Sequence, residues 1–141
     1  MTKSELFERL HQVEDIDAAL RCNQMRIEKL ESCLQGHAIR YDVDKVQTSP
    51  KDAVAEVMCD LEALLKKQTK LQIAMTRALA DVADLIDNVE DKKQALVMHY
   101  RYTACLQWRA IANKTGYSER HVYRMHDMAI DEIYKKVSKC Q

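Results

Sequence analysis

Apolar residues recur along the first ninety positions at steps of three, four or seven. Leu6, Leu10, Val13, Ile16, Leu20, Ile27, Leu30 and Leu34 form one such stripe, the period of a helix buried along one side, and predict a helix over about 3–35. Thr2 and Glu5 stand at the spacing of a capping box, in which hydroxyl and carboxylate each take a free backbone amide at the helix start. Gly36 suits the left-handed residue that closes a helix. A second stripe, Val54, Val57, Leu61, Leu64, Leu71, Met75, Ala78, Val82, Leu85 and Val89, alternates steps of three and four and predicts a helix over 50–89. Ser49, Pro50 and Asp52 mark its start. Gln68 alone is polar in this seam and is placed to set register. The two stripes predict an antiparallel, coiled-coil-like hairpin over 1–90. Part of each stripe stays open, which makes the hairpin an oligomerisation region, with a dimer as the first expectation. Residues 36–50 lack helical periodicity and read as a polar connector.

From Asp91 the period stays helical but the elements shorten. Ala95, Leu96, Met98 (or His99) and Tyr102 share a face, and Trp108, Ile111 and Ala112 share another. A last helix over about 119–137 turns Val122, Met125, Ala129, Ile133 and Val137 inward. Gly116 supplies a positive φ at the end of one helix and Ser118 caps the next, which is the layout of a helix-turn-helix. Opposite the inward face lie Arg120, Tyr123, Arg124 and Asp127, with Glu119 and His121 at its edges, in the turns that enter a major groove in such motifs. Arginine can pair with guanine edges and glutamate can accept from cytosine. Arg109 and Lys114, one helix earlier, are placed for phosphates. The predicted fold class is therefore all-α: a long helical hairpin over 1–90, then a helix-turn-helix domain over 91–141.

Composition agrees with this reading. Among 141 residues there are two glycines and one proline, too few for the turns of a many-stranded sheet. Lys+Arg and Asp+Glu balance at 22 each, but residues 1–90 hold 12 basic against 17 acidic side chains and residues 91–141 hold 10 against 5. A basic C-terminal part suits a polyanionic partner. The five cysteines, Cys22, Cys33, Cys59, Cys105 and Cys140, show no metal-ligand spacing and predict free thiols in a reducing compartment. The N-terminal MTKSELFERL is charged where a signal peptide is apolar, and no run approaches a membrane span, so a cytoplasmic location without membrane contact is expected. No glycine-rich phosphate loop and no nucleophile–base pair at a recognisable spacing occurs. No catalytic residue, metal ligand or cofactor is expected; Asp81, Asp84 and Asp87 read as a solvated face.

The segment ALVMHYRY…WRAIANKTGYSERHVYRMHDMAIDEI resembles the region-four helix-turn-helix of bacterial sigma factors. It is more similar still to small phage and prophage late-gene regulators of the ArpU and RinA type and to related phage proteins, which also have a helical N-terminal half. The resemblance is strongest at Arg101, Tyr102, Trp108, Ile111, Ala112, Gly116, Tyr117, Ser118, His121, Val122, Tyr123 and Arg124. It implies a transcriptional regulator that binds double-stranded DNA through the segment from Ser118 to Arg124 in a bacterial host cell, with host RNA polymerase as a further partner. Two positions depart from the pattern. The turn before the tryptophan helix, TACLQ, lacks the usual glycine, and Thr115 stands where leucine usually precedes Gly-Tyr-Ser. A phage small terminase subunit also combines such a motif with helical oligomerisation, in the reverse order along the chain. A module binding an acidic protein in place of DNA is the third reading.

Overall fold

A computed structural model describes residues 1–40 and 50–140 of the chain. The described residues form five α-helices and no strand: α1 (Lys3–Arg40), α2 (Pro50–Ile86), α3 (Lys92–Met98), α4 (Trp108–Thr115) and α5 (Glu119–Lys139). A π-helical turn, His99–Thr103, continues directly from α3. The fold is all-α, with α1 and α2 forming the expected hairpin. Compact units do not divide at residue 90. One comprises Met1–Ile16 with Met75–Gln141, the other Asp17–Ala74.

The capping box at the start of α1 forms as the spacing requires. The Thr2 amide donates to Glu5 Oε2 at 2.7 Å, and the Glu5 amide donates to Thr2 Oγ1 at 3.2 Å. Gly36 does not end the helix. Its φ is not positive, and α1 continues through it to Arg40. An exposed mid-helix glycine costs about 1 kcal/mol relative to alanine, which a long helix tolerates. The rest of the expected connector, 41–49, including the Ser49 cap, lies outside the described residues, while Pro50 is the first residue of α2. That helix ends three residues early, at Ile86, because the Asn88 side-chain amide donates to the carbonyls of Asp84 (3.0 Å) and Leu85 (3.1 Å) and the chain turns. Val89 is still buried, from the turn.

In the first unit, the start of α1 and the end of α2 join α5 in one core. Leu6, Leu10 and Val13 pack with Ala78, Val82 and Leu85 and with Ala129, Ile130 and Ile133. This shared core explains why the hairpin's base belongs with the C-terminal helices and not with its own remainder. Asp81 is not part of a solvated face: it accepts from the Arg9 guanidinium through both carboxylate oxygens and from Gln12 Nε2 at 2.7 Å. The Arg9 bond holds its carboxyl below the usual range, against the opposing effect of burial. Lys136 of α5 donates to the Asn88 carbonyl (2.7 Å) and to Glu90 (2.9 Å), which ties the turn after α2 to the last helix. Asp91 caps α3 by accepting from the Lys93 amide at 2.9 Å. The inward face of α3 is Gln94, Val97 and Met98, with Tyr102 following from the π turn, whereas Leu96, expected inside, is exposed. Along α5, Val122, Met125, Ala129 and Ile133 are buried as expected and Val137 is half-buried, and the helix reaches Lys139.

In the second unit the seam is polar at one level. Asn23 of α1 is buried, and its Nδ2 donates to the Leu64 carbonyl (3.0 Å) and to Gln68 Oε1 (2.8 Å). Gln68 thus has a named partner across the seam. Asn23 Oδ1 is buried without a hydrogen-bond partner, at a desolvation cost of about 1–3 kcal/mol. Replacing both residues by leucine is expected to raise stability by about 1 kcal/mol or more, since paired polar groups exchanged for apolar ones leave nothing unsatisfied. Gln68→Leu alone removes one acceptor from Asn23 and is expected to lower it by about 1 kcal/mol. Denaturant titrations followed by circular dichroism test the order; a double variant less stable than the single one contradicts it.

Candidate nucleic-acid interface

The turn between α4 and α5 follows from two residues. Gly116, at the end of α4, has φ 76° and ψ 7°, and its amide donates to the Ala112 carbonyl at 2.9 Å. Ser118, with φ −69° and ψ 152°, accepts the His121 amide on its hydroxyl at 3.2 Å and so caps α5. Three residues, 116–118, therefore separate two helices.

Every residue expected at the interface is exposed: Arg109 and Lys114 on α4, Ser118 at the cap, and Glu119, Arg120, His121, Tyr123, Arg124 and Asp127 on α5. Behind them Ile111, Ala112, Val122 and Met125 form a separate small core with Val97, against which Trp108 and Tyr117 pack half-buried. Tyr123, 44 % exposed, lies against the Trp108 ring at 4.6 Å between centroids. His121 meets the edge of Tyr117 at 5.0 Å, and Lys114 Nζ stands 5.8 Å from the Tyr100 ring centre. The first two turns of α5 therefore present Arg120, Tyr123 and Arg124 outward from a helix whose other side is packed. Asp127 stands apart from them in one respect, because it accepts from His126 Nδ1 at 3.3 Å.

His126 is buried, and periodicity could have placed it there: it is four residues after Val122 and three before Ala129, in register with the inward face. The Asp127 carboxylate only accepts, so Nδ1 carries the proton and Nε2 accepts from the Tyr102 hydroxyl at 2.7 Å. The Trp108 ring meets the His126 ring edge-on at 4.8 Å, and Phe7 lies 6.5 Å from it. His11 meets Tyr102 edge-on at 5.3 Å and bonds the Phe7 carbonyl through Nδ1 at 2.8 Å. Burial lowers the pKa of His126 against the opposing pull of Asp127, and Arg101 and His11 lower it further; burial pushes Tyr102 up to about 12. Arg101 is no part of the outward face. It donates to the Leu106 carbonyl (3.2 Å), lies 3.9 Å from Glu14 and stands 5.2 Å over the Trp108 ring.

One cation beside α5 carries no signal in the sequence. Lys3 of α1 donates to Asp131 Oδ1 at 2.8 Å and stands 5.6 Å over the Tyr134 ring, 128 residues away in sequence from its carboxylate partner. Its ammonium reaches the fourth turn of α5, beyond the Arg120–Arg124 stretch. Among the described residues no group of three or more His, Cys, Asp or Glu is placed to hold a metal, all five cysteines are free thiols, and no helix is long and apolar enough to cross a membrane.

Two outcomes are expected from this geometry. Nothing lies within 4 Å of a Cβ built on Gly116, so Gly116→Ala carries the strain of the left-handed backbone alone, about 1–2 kcal/mol in a thermal or denaturant melt. An unchanged midpoint would deny the positive φ. For His126, the folded protein resists a proton that the unfolded chain takes up at the ordinary histidine value of 6.5. Its stabilising contribution is therefore complete above that pH and is lost as pH falls towards the depressed folded value. The stability gap between wild type and His126→Gln should narrow from about pH 7 to about pH 5, whereas a constant gap would show that His126 does not resist protonation.

Comparison with protein families, with curated proteins and with solved structures finds no match for this chain.

Proposed function

We propose that the chain is a sequence-specific DNA-binding regulator of transcription, of the phage type that its C-terminal segment resembles, with the first turns of α5 in a major groove. The observation that carries this reading is the outward presentation of Arg120, Tyr123 and Arg124 at the start of α5, beside a glycine–serine turn and over a packed inner face. A helix entering a groove has to keep its shape while its outer side chains read base edges. The buried Val122, Met125 and His126 hold the helix from behind, and the Trp108 ring supports Tyr123. Arg109 and Lys114 extend the positive charge onto α4, where phosphates are nearer than bases. Host RNA polymerase is the protein partner that the resemblance adds. No reaction is proposed: the exposed groups are those of a binding surface.

Arg124 is assigned to base readout and Lys114 to a phosphate. On a site selected from a random or phage-genome DNA pool, Arg124→Ala should cost about 1–3 kcal/mol and flatten preference at one base pair. Lys114→Ala should weaken all sequences alike and reduce the salt slope by about one unit. Both variants are to be measured on cognate and scrambled DNA at several salt concentrations. Equal losses for Arg124→Ala on the two DNAs would move it to the backbone. Absence of any salt-sensitive DNA binding by the wild type would overturn the reading in favour of an acidic protein partner.

A further inference from the structure

Among the outward side chains in the first two turns of α5, Tyr123 is the one that offers a large apolar surface. Glu119, Arg120 and Arg124 around it are charged and exposed, and His121 meets the edge of Tyr117. The Tyr123 ring is held from behind. It lies on the Trp108 indole at 4.6 Å between centroids, with the planes tilted by 37°. The indole is itself fixed by His126, edge-on at 4.8 Å, and by the Arg101 guanidinium, 5.2 Å over its ring. With one side on this support, Tyr123 still leaves 44 % of its surface exposed. An aromatic ring held in this way has little rotamer freedom to lose when a partner covers it, and covering it removes apolar surface from water.

On the DNA-binding reading proposed above, on which this assignment rests, the surface that Tyr123 meets is a major groove. Base edges there present hydrogen-bonding atoms, and their one apolar group is the 5-methyl of thymine. Arginine side chains match the acceptors of guanine and leave that methyl unread. Phosphates are ionised and hydrated, so against the backbone only the Tyr123 hydroxyl would be used and its ring would gain nothing. We infer that Tyr123 is a specificity-determining residue that recognises a thymine through its 5-methyl group.

The test uses the full chain and a DNA site selected from a random pool. Each thymine of that site is replaced in turn by deoxyuridine, which removes the methyl and keeps every hydrogen-bonding atom. At one thymine the wild type is expected to bind the uracil site about fourfold more weakly, the scale of one buried methyl. Tyr123→Phe keeps the ring and is expected to show the same loss. Tyr123→Ala is expected to bind the thymine site more weakly than the wild type and to make no distinction between thymine and uracil there. Both sites are compared with the same protein, so partial unfolding of a variant cancels from the ratio. Three results overturn the inference and leave DNA binding standing: a selected site at which no uracil weakens the wild type, a Tyr123→Ala variant that keeps the full methyl preference, or a Tyr123→Phe variant that loses it, which assigns the contact to the hydroxyl. A wild type that selects no site overturns the DNA-binding reading itself, and this inference with it.

Discussion

The hydrogen bond from the Tyr102 hydroxyl to His126 Nε2 sits where four elements of the first unit converge, and the outward face of α5 depends on it. Phe7 and His11 reach the pair from α1, Trp108 from α4, and Tyr102 itself from the π turn. Rings meeting edge-on at such a point fix angles as well as distances, because their quadrupoles favour particular orientations. The same Trp108 ring then touches Tyr123 on the outer side of α5. A buried polar pair is thus linked through one indole to the side chains offered to solvent. A buried imidazole also constrains the pair chemically: it accepts one hydrogen bond and donates one only while neutral.

The π turn explains how Tyr102 arrives there. Its amides bond five residues back, as from Ala104 to the His99 carbonyl at 3.0 Å, and the chain then closes with the Leu106 amide on the Tyr100 carbonyl at 2.9 Å. That closure places Cys105 at φ 55°, in the left-handed region, where a side chain costs about 1 kcal/mol or more. The thiol offsets part of the strain by packing against the core and by a 3.9 Å contact from Sγ to the Tyr102 carbonyl. The turn holds this strained residue because the surrounding contacts determine its backbone.

Burial and charge divide the labour between the two units. In the first, the apolar residues of α2 from Met75 to Ile86 are covered and an ion pair from Arg9 to Asp81 closes the edge of the core. In the second, the apolar seam is interrupted by Asn23 and Gln68, whose hydrogen bonds specify one register at a cost in stability. The outward face of α5 is basic and aromatic over its first two turns, and from the fourth turn it is engaged with Lys3 through Asp131 and Tyr134. Arg120 and Arg124 are thereby set apart from the part of the helix that serves the fold.

The sequence alone determined the helices, their inward faces and the turn before α5. These are local properties: periods of three and four for Leu6, Val82 or Val122, a hydroxyl and a carboxylate three residues apart at Thr2 and Glu5, a glycine and a serine two apart at Gly116 and Ser118. It also placed Arg120, Tyr123 and Arg124 on the outside, since a helix with a known inward face has a known outward one. It misread what depends on distant partners. Gly36 has the composition of a helix end, yet no αL turn forms there and the helix runs on. Asp81 looks solvated until Arg9 and Gln12 meet it, 72 and 69 residues away in sequence. Leu96 and Val97 differ by a single residue in a short helix, and only the packing of α3 decides which one is inside. Whether the hairpin's base belongs with its tip or with α5 was likewise a tertiary decision, made by Leu6, Leu10, Ala129 and Ile133 sharing one core. Periodicity reports that a face is apolar, and it carries no information about which other face will cover it.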